Sequence, residues 1–437
     1  MLTSAKFQSL NSSLDGEFSF DQIHRIIYST DASAYKEKPL GVAYPKNDAD
    51  IKKIILFACE NKLSVVPRAA GTSLAGQVVG NGIIVDGSKY LTNIIELNKD
   101  EKWIRLQPGI VLDELNKYLE PHGLFFGPET STSNRCMIGG MVGNNACGSH
   151  SILYGSTRDH LLEVKAILSD GSEVEFKSLT NKEFEVKCSG QKLENKLYQS
   201  IREILINPDN QHEIRDQFPI KELRRRNSGY AIDLLLETAP FTNTTEHFNF
   251  CKLIAGSEGT LAFITEIKLN LVPLPPKNKA VVAVHFHTLE EALEANLIAL
   301  KYEPGAIELM DNTILELTKG NIEQQKNRFF LEGNPEAILI IEFARETKFE
   351  IEEISENLIS EMKKLKFGYH YPIIWGKDIS KIWNLRKSGL GVLSNMEGDA
   401  KPVSLVEDTA VHVTSLPAYI VSERKHPIFF NNLIDPK

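Results

Sequence analysis

The spacing of apolar residues in the first half of the chain predicts alternating helices and strands. From Ile51 the apolar positions recur at i, i+3, i+4 and i+7, which predicts an amphipathic helix with Asp48 and Asp50 as candidate N-caps. A second such helix is predicted from its leucines over 112–119, ending at Pro121 and Gly123. Short apolar or alternating runs predict strands at 63–67, 83–85 and 103–107.

The second half of the chain shows the same alternation after a proline-rich boundary. An alternating strand stops at Pro273-Leu274-Pro275-Pro276, where a domain boundary is expected. Beyond it we expect helices at 289–300 and 349–365 and strands at 281–286, 306–310, 337–343 and 369–374. This order predicts a separate α+β domain with an antiparallel sheet.

Residues 127–160 break this pattern, because they are rich in Gly, Ser, Thr and Asn and poor in bulky apolar groups. Such a stretch inside a compact chain usually wraps a ligand. Two further loops of small residues lie at 68–77 and 256–260. Together the three loops suit a large cofactor that contains phosphates and a planar ring.

The loop from Gly71 to Gly76 is ambiguous when taken alone. It reads G-x-x-x-x-G but lacks the Lys-Ser/Thr pair of a P-loop, which excludes a nucleoside triphosphatase. A tight structural turn and a backbone cradle for an anion fit it about equally well. No G-x-G-x-x-G follows a predicted strand, so a Rossmann site is not indicated.

Composition and charge restrict the function classes. The chain has 437 residues, of which 42% are hydrophobic and 24% charged, so two or three domains are expected. Its net charge of −9 argues against nucleic acid as a partner. We find no apolar run long enough to span a bilayer and no signal peptide, and therefore expect a cytoplasmic protein. Five scattered cysteines without a C-x-x-C pair indicate neither disulfides nor a zinc or iron–sulfur cluster.

A set of ordered motifs carries a resemblance to a known family. PRAAGTSLAGQ, IIVDGSKYLTNI, QPGIVLDELNKYL, FGPETSTSNRCMIGGMVGNNACGS, YGSTRDHL and GSEGTLAFITEIKLNLVPLP resemble the vanillyl-alcohol-oxidase-type flavoproteins. The chain is most similar to their glycolate oxidase, D-lactate dehydrogenase and D-2-hydroxyglutarate dehydrogenase branch. The resemblance implies an α+β fold: an N-terminal extension (1–27), a two-subdomain PCMH-type FAD-binding domain (28–275) and an α+β substrate cap (276–437).

The resemblance also implies which residues bind FAD. In the first loop they are Pro67, Arg68, Ala69, Ala70, Gly71, Thr72, Ser73, Leu74 and Gln77, around the pyrophosphate. Around the ribityl chain and ring they are Pro128, Glu129, Thr130, Ser131, Thr132, Ser133, Ile138, Gly139, Gly140, Asn144, Asn145 and Gly148. The remaining contacts are Tyr154, Gly155, Thr157, Glu258, Gly259 and Ile264. Relatives with covalent flavin have His where this chain has Thr72, so noncovalent FAD is expected.

Two basic residues match the family's clamp for a substrate carboxylate, Arg386 and Lys401. A guanidinium can bind a carboxylate in bidentate fashion, and a lysine adds a point charge. A surface salt bridge is the alternative for each. His285 and His287 could pair on one strand face, but packing is the more common role of such a pair and we predict no metal site. Glu407-Asp408 matches a family pair that would need a metal partner.

The chain departs from the family after Glu407-Asp408, because the H-G-H-x-G-D-G-N-x-H segment that binds metal and accepts the proton does not follow. Two explanations of this departure are open: a truncated flavin half of a longer protein and a natural short form. The unusual C-terminal residues of the chain favour truncation. We expect an FAD-dependent oxidoreductase of D-2-hydroxy acids that passes electrons to a quinone, a flavoprotein or a separate iron–sulfur protein, possibly as a homo-oligomer. A catalytically impaired flavin-binding fragment and a sugar or alcohol oxidase are the alternatives.

Overall fold

A computed structural model describes residues 4–223, 226, 229–394, 398–399 and 410–425. These residues form two compact units. The first contains residues 4–148 and those between 155 and 274, and the second contains 149–154 and those from 275 onward. The chain therefore passes from the first unit into the second at 149–154 and returns to the first at 155. The sequence pattern does not predict this crossing.

The strands of the described residues are β1 (Glu17–Ser19), β2 (Gly41–Tyr44), β3 (Val65–Arg68), β4 (Ile83–Asp86), β5 (Ile94–Asn98), β6 (Trp103–Leu106), β7 (Leu124–Phe125), β8 (Leu161–Ile167), β9 (Glu173–Phe176), β10 (Phe263–Asn270), β11 (Val272–Pro273), β12 (Asn278–Phe286), β13 (Ala306–Asp311), β14 (Ala337–Arg345) and β15 (Ile373–Trp375).

The helices of the first unit are α1 (Ser4–Ser13), α2 (Gln22–Ile27), α3 (Asp48–Glu60), α4 (Leu112–Leu119), α5 (Ile138–Asn144), α7 (Thr157–His160), α8 (Asn181–Cys188), α9 (Leu193–Ile206), α10 (Pro208–Gln217), α11 (Ile232–Leu236) and α12 (Cys251–Ile254), with α6 (Ser151–Tyr154) in the second unit. The second unit continues with α13 (Leu289–Leu300), α14 (Asn312–Leu317), α15 (Ile322–Gln325), α16 (Lys348–Leu365), α17 (Ile379–Lys387), α18 (Gly389–Ser394) and α19 (Leu416–Lys425). No helix of the described residues is long and apolar enough to cross a bilayer.

The start of α3 corrects the prediction of its N-cap. Asn47, not Asp48 or Asp50, is the N-cap, and its side chain accepts a hydrogen bond from the Asp50 amide. The buried Asp50 carboxylate instead accepts the amides of Asp15 and Gly16 at 2.9 and 2.8 Å. Asp50 is therefore an anchor for the N-terminal chain.

The first unit contains a four-stranded sheet in the order β1-β2-β4-β3. Strands β2 and β3 run parallel to β4, and β1 is antiparallel to β2. Phe7, Leu10 and Phe18 from the N-terminal stretch lie in the same apolar cluster as Ile51 of α3. The stretch predicted as an extension is thus packed into this unit.

A five-stranded antiparallel sheet in the order β5-β6-β10-β8-β9 completes the first unit. Burial alternates along β10 as its sequence predicts, with one face toward the core. The other face carries ion pairs such as those of Glu163 with Arg105 and Lys268. Helices α4, α5, α8 and α9 contribute apolar residues to the core on the inner face.

The second unit is an antiparallel sheet in the order β13-β14-β12-β15. Helices α13 and α16 pack on one face, and α14 and α17 pack on the other. The α+β class and the antiparallel sheet are confirmed. The last strand was predicted too early: it covers 373–375 instead of 369–374, and His370 makes only an isolated bridge to His285. Pro372 has no N–H to donate, so in this stretch the carbonyl oxygens of His370 and Pro372 accept the amides of His285 and Ala283, each at 3.0 Å.

Candidate functional site

The first small-residue loop starts where β3 ends. Gly71 and Gly76 have φ of +66° and +78°, a left-handed conformation that favours glycine. The Arg68 guanidinium donates to the carbonyl oxygens of Thr30 at 2.9 Å and Val78 at 3.4 Å, and it lies 5.0 Å from the ring centre of Tyr28. Arg68 therefore holds the start of the loop through its hydrogen bond to a backbone carbonyl. The groups with which the loop can bind an anion are its backbone amides.

The second segment packs directly on the first loop. The amide of Gly139 donates to the carbonyl oxygen of Pro108 at 2.8 Å at the start of α5. A Cβ on Gly140 would lie 3.1 Å from that of Ala69, and a Cβ on Gly148 would lie 2.2 Å from the carbonyl oxygen of Glu129. These glycines are required for the close approach of neighbouring backbones, as the sequence predicts.

The third loop joins the other two. The amides of Gly256 and Glu258 donate to the carbonyl oxygens of Val142 and Gly143, each at 2.9 Å. A Cβ on Gly259 would lie 3.1 Å from the side chain of Pro67. Within the first unit, the structure thus brings together the loops at 68–77 and 256–260 and residues 128–148 of the second loop.

Two non-glycine residues in these loops have unusual backbones. Asn145 and Glu258 have φ of +48° and +53°. Residues held in this region cost about 1–3 kcal/mol each and tend to cluster at functional sites. Their positions, one at the end of α5 and one in the third loop, support the assignment of this surface as the site.

Several of the predicted residues make contacts within or beside the loops. The side chains of Thr130 and Thr132 lie 3.1 Å apart at their oxygens, and Thr130 also contacts the Cys136 sulfur at 3.2 Å. Burial raises the pKa of the Cys136 thiol, so it stays protonated. Ser73 contacts Gln77 within the first loop. Ile264 lies in β10 and packs on the core beside the third loop.

The Y-G-S-T-R-D segment is divided between the two units. Tyr154 ends α6 in the second unit. Gly155 and Thr157 stay in the first unit at the start of α7. Asp159 caps this helix, because its carboxylate accepts the amide of Ser156 at 2.7 Å.

Arg158 is a residue of this site that sequence reasoning missed. Its guanidinium donates to the carbonyl oxygens of Ala255 at 2.6 Å and Lys252 at 2.9 Å, and its amide donates to the Asn145 side chain at 2.8 Å. Burial lowers its pKa to about 10, which leaves the group charged at neutral pH. Arg158 links the second and third loops, and its place in the T-R-D motif is the signal that could have revealed it.

The second unit presents polar groups on the sheet face that α17 covers. Arg386 of α17 donates from Nε and Nη2 to one carboxylate oxygen of Glu308 on β13, at 3.0 and 2.8 Å. The Arg386 side chain remains 38% exposed. It is therefore positioned by an acidic partner and still accessible to a ligand. Lys401, Glu407 and Asp408 lie outside the described residues.

A buried carboxylate lies on the same face. Glu342 of β14 accepts hydrogen bonds from Trp383 Nε1 at 2.8 Å, His150 Nε2 at 3.0 Å and Lys279 Nζ at 3.3 Å. Burial opposes its ionisation, but the hydrogen bond from His150 and the charge of Lys279 outweigh that effect and hold the pKa of Glu342 below its ordinary value. No motif in the sequence indicates this cluster.

The His285 and His287 pair is part of the packing. The His285 Nδ1 lies 3.0 Å from the carbonyl oxygen of Ala283, and burial lowers the pKa of His285 to about 4. The exposed His287 stacks on Tyr369 at 4.4 Å. Among the described residues no three His, Cys, Asp or Glu side chains are grouped so as to hold a metal ion.

Comparison with known families identifies both units. Residues 39–177 match the FAD binding domain, and residues 275–425 match the C-terminal domain of FAD linked oxidases. The chain therefore carries matches to both domains of FAD-linked oxidases, in this order. FAD is therefore the cofactor class of the first unit, and the glycines that leave no room for a Cβ fit a ligand held by backbone groups. Noncovalent attachment and the individual contacts stay predictions.

Curated proteins named D-2-hydroxyglutarate dehydrogenase are similar to most of this chain. D-2-hydroxyglutarate dehydrogenase of Pseudomonas putida is 32% identical over 95% of the chain and 41% of its own length. The Haemophilus influenzae enzyme of that name is 33% identical over 93% of the chain and 40% of its own length. The chain thus spans about two fifths of these relatives.

One further curated protein and one solved structure are also similar to most of this chain. Glycolate oxidase subunit GlcD of Bacillus subtilis is 24% identical over 91% of the chain and 71% of its own length. A solved structure of alkyldihydroxyacetonephosphate synthase superimposes with a TM-score of 0.60 at 15% identity, covering 90% of this chain and 64% of that one. This last similarity shows the fold alone.

Proposed function

We propose that this chain is the flavin-binding part of a dehydrogenase that oxidises a D-2-hydroxy acid to the 2-oxo acid. The observation that carries the proposal is the convergence of the three glycine-rich loops in one unit, together with an accessible, acid-paired Arg386 in the other. The names of the similar proteins support a substrate of the 2-hydroxyglutarate, glycolate or lactate type.

Each unit has a separate task in this proposal. The first unit binds FAD, which supplies the hydride acceptor. The second unit binds the substrate carboxylate through the Arg386 guanidinium, whose geometry suits a carboxylate. The electrons then pass to a quinone, a flavoprotein or an iron–sulfur protein, and we propose a cytoplasmic location.

The test is anaerobic reduction of the bound flavin. The purified chain should show flavin absorption, and D-2-hydroxyglutarate, D-lactate or glycolate should bleach it, with and without added zinc or manganese. L-2-hydroxyglutarate and L-lactate are the matched controls for the two chiral substrates. A chain without flavin would contradict the cofactor assignment. Bound flavin that no 2-hydroxy acid bleaches, while a sugar or simple alcohol does, would favour an oxidase of the same fold.

A further inference from the structure

The segment 28–35 contacts the first loop from outside the part of the chain that matches the FAD binding domain. The amide of Ala32 donates to the carbonyl oxygen of Gly71 at 3.0 Å, in the middle of that loop. Near the end of the loop, a Cβ on Gly76 would lie 2.7 Å from the ring of Tyr35. The backbone of the loop is therefore held against a segment that the family match does not include.

The Arg68 guanidinium joins the same segment to the start of the loop. It donates to the carbonyl oxygens of Thr30 and Val78, which lie on either side of the loop in the sequence. A Cβ on Gly71 would lie 2.8 Å from its Nη2 atom, so the guanidinium lies directly against the loop backbone. Because backbone carbonyls accept its hydrogen bonds, Arg68 fixes the path of the chain around the loop.

Tyr28 connects this arginine to a buried carboxylate on the neighbouring strand. Its hydroxyl donates to Asp86 at 2.5 Å, and Asp86 is paired with Arg68 in the register of β3 and β4. Asp86 is only 4% exposed, and its other oxygen accepts the amide of Ser88 at 2.7 Å. Burial and the hydrogen bond to Asp86 raise the pKa of Tyr28, so the hydroxyl keeps its proton and remains the donor. The ring of Tyr28 is thereby fixed where it contacts the Arg68 guanidinium.

We propose that Tyr28, Arg68 and Asp86 are positioning residues, which hold the first loop in the conformation whose amides bind the diphosphate of the cofactor. The proposal rests on the proposed function only in that the first unit binds FAD, and it involves neither the substrate nor the second unit. Arg68 then acts on the cofactor through the loop backbone, whereas the resemblance implies that Arg68 binds FAD directly.

The conformation of the loop is the reason that it needs such support. Gly71 and Gly76 both have positive φ, and glycine is the residue with the most conformational freedom to lose on ordering. A loop that is already ordered before binding loses less entropy when its amides close on an anion, so it binds more tightly. A cluster that only stabilised the fold would have the same contacts, so the test must separate binding of the diphosphate from stability.

The experiment compares the binding of two ligands to the apoprotein by calorimetric titration. FAD contains the diphosphate, and riboflavin contains the same ring and ribityl chain without any phosphate. Tyr28→Phe removes the hydroxyl and keeps the ring, and Arg68→Lys keeps the charge but lacks the planar guanidinium. We expect each variant to bind FAD roughly tenfold more weakly, the effect of one lost hydrogen bond to a charged group, and to bind riboflavin as the wild type does.

Two further variants complete the experiment. Tyr28→Phe combined with Arg68→Lys should weaken FAD binding by less than the product of the two single effects, because both changes loosen one cluster. Two effects that multiply would overturn the assignment of these residues to a single cluster. Tyr118→Phe, at an exposed position of α4, is the matched control and should bind FAD and riboflavin as the wild type does.

The outcomes separate this inference from the proposed function. Unchanged FAD affinity in both single variants, or an equal loss of FAD and riboflavin affinity, would overturn the positioning role. Unchanged FAD affinity in Arg68→Lys alone would show that the charge at this position is sufficient and would overturn the role of the guanidinium.

The wild type provides the remaining outcomes. Binding of FAD no tighter than that of riboflavin would show that the loop does not bind the diphosphate, and the inference would fail while the flavin assignment stands. A wild type that binds neither ligand would contradict the cofactor assignment itself. Riboflavin binding also shows that a variant is folded, and each single variant tests the proposal by itself.

Discussion

The two units build their candidate sites from different materials. In the first unit the site consists of backbone segments brought together by glycines, and few charged side chains take part. In the second unit it consists of polar and charged side chains, Arg386 with Glu308 and His150 with Glu342. The first site should therefore be sensitive to added atoms, and the second to a removed charge.

The most severe change to the first site is a methyl group at Gly148. Its Cβ would lie 2.2 Å from the carbonyl oxygen of Glu129, a backbone atom that cannot rotate away. Gly148→Ala should cost about 3 kcal/mol, the upper end for overpacking. If this cost falls on FAD binding, the affinity decreases roughly a hundredfold. FAD content after purification and titration of the apoprotein with FAD measure it.

A glycine with room around it provides the control for this prediction. At Gly87 the nearest atom to an added Cβ is a Leu91 methyl group at 3.7 Å, an ordinary contact. Gly87→Ala should bind FAD as the wild type does. Equal FAD affinity in both variants would show that the loops tolerate added atoms, and the contrast between the two units would be lost.

The second site should respond to loss of the Arg386 charge. Arg386→Ala removes a charge-assisted hydrogen-bond donor, worth about 2 kcal/mol, and should lower kcat/KM for a 2-hydroxy acid roughly thirtyfold. FAD content should not change. Lys387→Ala, at the exposed next position, is the control and should behave as wild type. A kcat/KM that is the same in Arg386→Ala and Lys387→Ala would refute the clamp.

The same contrast explains what the sequence could predict. A site built from backbone requires glycines and small residues at consecutive positions. The loops at 68–77, 127–160 and 256–260 could therefore be predicted from runs of such residues in the sequence. Most strands and helices could be predicted as well, because the spacing of apolar residues is also a property of neighbouring positions in the sequence. The Glu342 cluster joins residues far apart in the chain. The pairing of β12 with β14 brings Lys279 to Glu342, and the packing of α17 and of the segment before α6 brings Trp383 and His150. Patterns of neighbouring residues in the sequence do not predict contacts between residues that are far apart in the chain.

The charged site should also make stability depend on pH. The folded-state pKa of Glu342 is below the ordinary value of 4.5, so its ion pairing stabilises the fold above that pH and is lost as the pH falls through the folded-state value. Glu342→Gln should lower the free energy of unfolding by about 1–2 kcal/mol near neutral pH, and the difference should shrink below pH 4.5. Urea denaturation at both pH values measures it. Glu352→Gln, at an exposed position of α16, should have the wild-type free energy of unfolding at both pH values. A decrease in the free energy of unfolding of Glu342→Gln that is the same at both pH values would contradict the lowered pKa of Glu342.

The smallest effect tests whether each unit can be stabilised without changing its site. Lys366 ends α16 at φ +65°, and Lys62 follows α3 at φ +55°, both conformations that glycine adopts at no steric cost. Lys366→Gly and Lys62→Gly should each raise the free energy of unfolding by about 0.5–1 kcal/mol. Hydrogen exchange should show slower opening of α16 in the first variant and of α3 in the second, with FAD affinity unchanged in both. A change in FAD affinity on stabilising α16 would show that the backbone site is not independent of the second unit, and the division of tasks between the two would have to be abandoned.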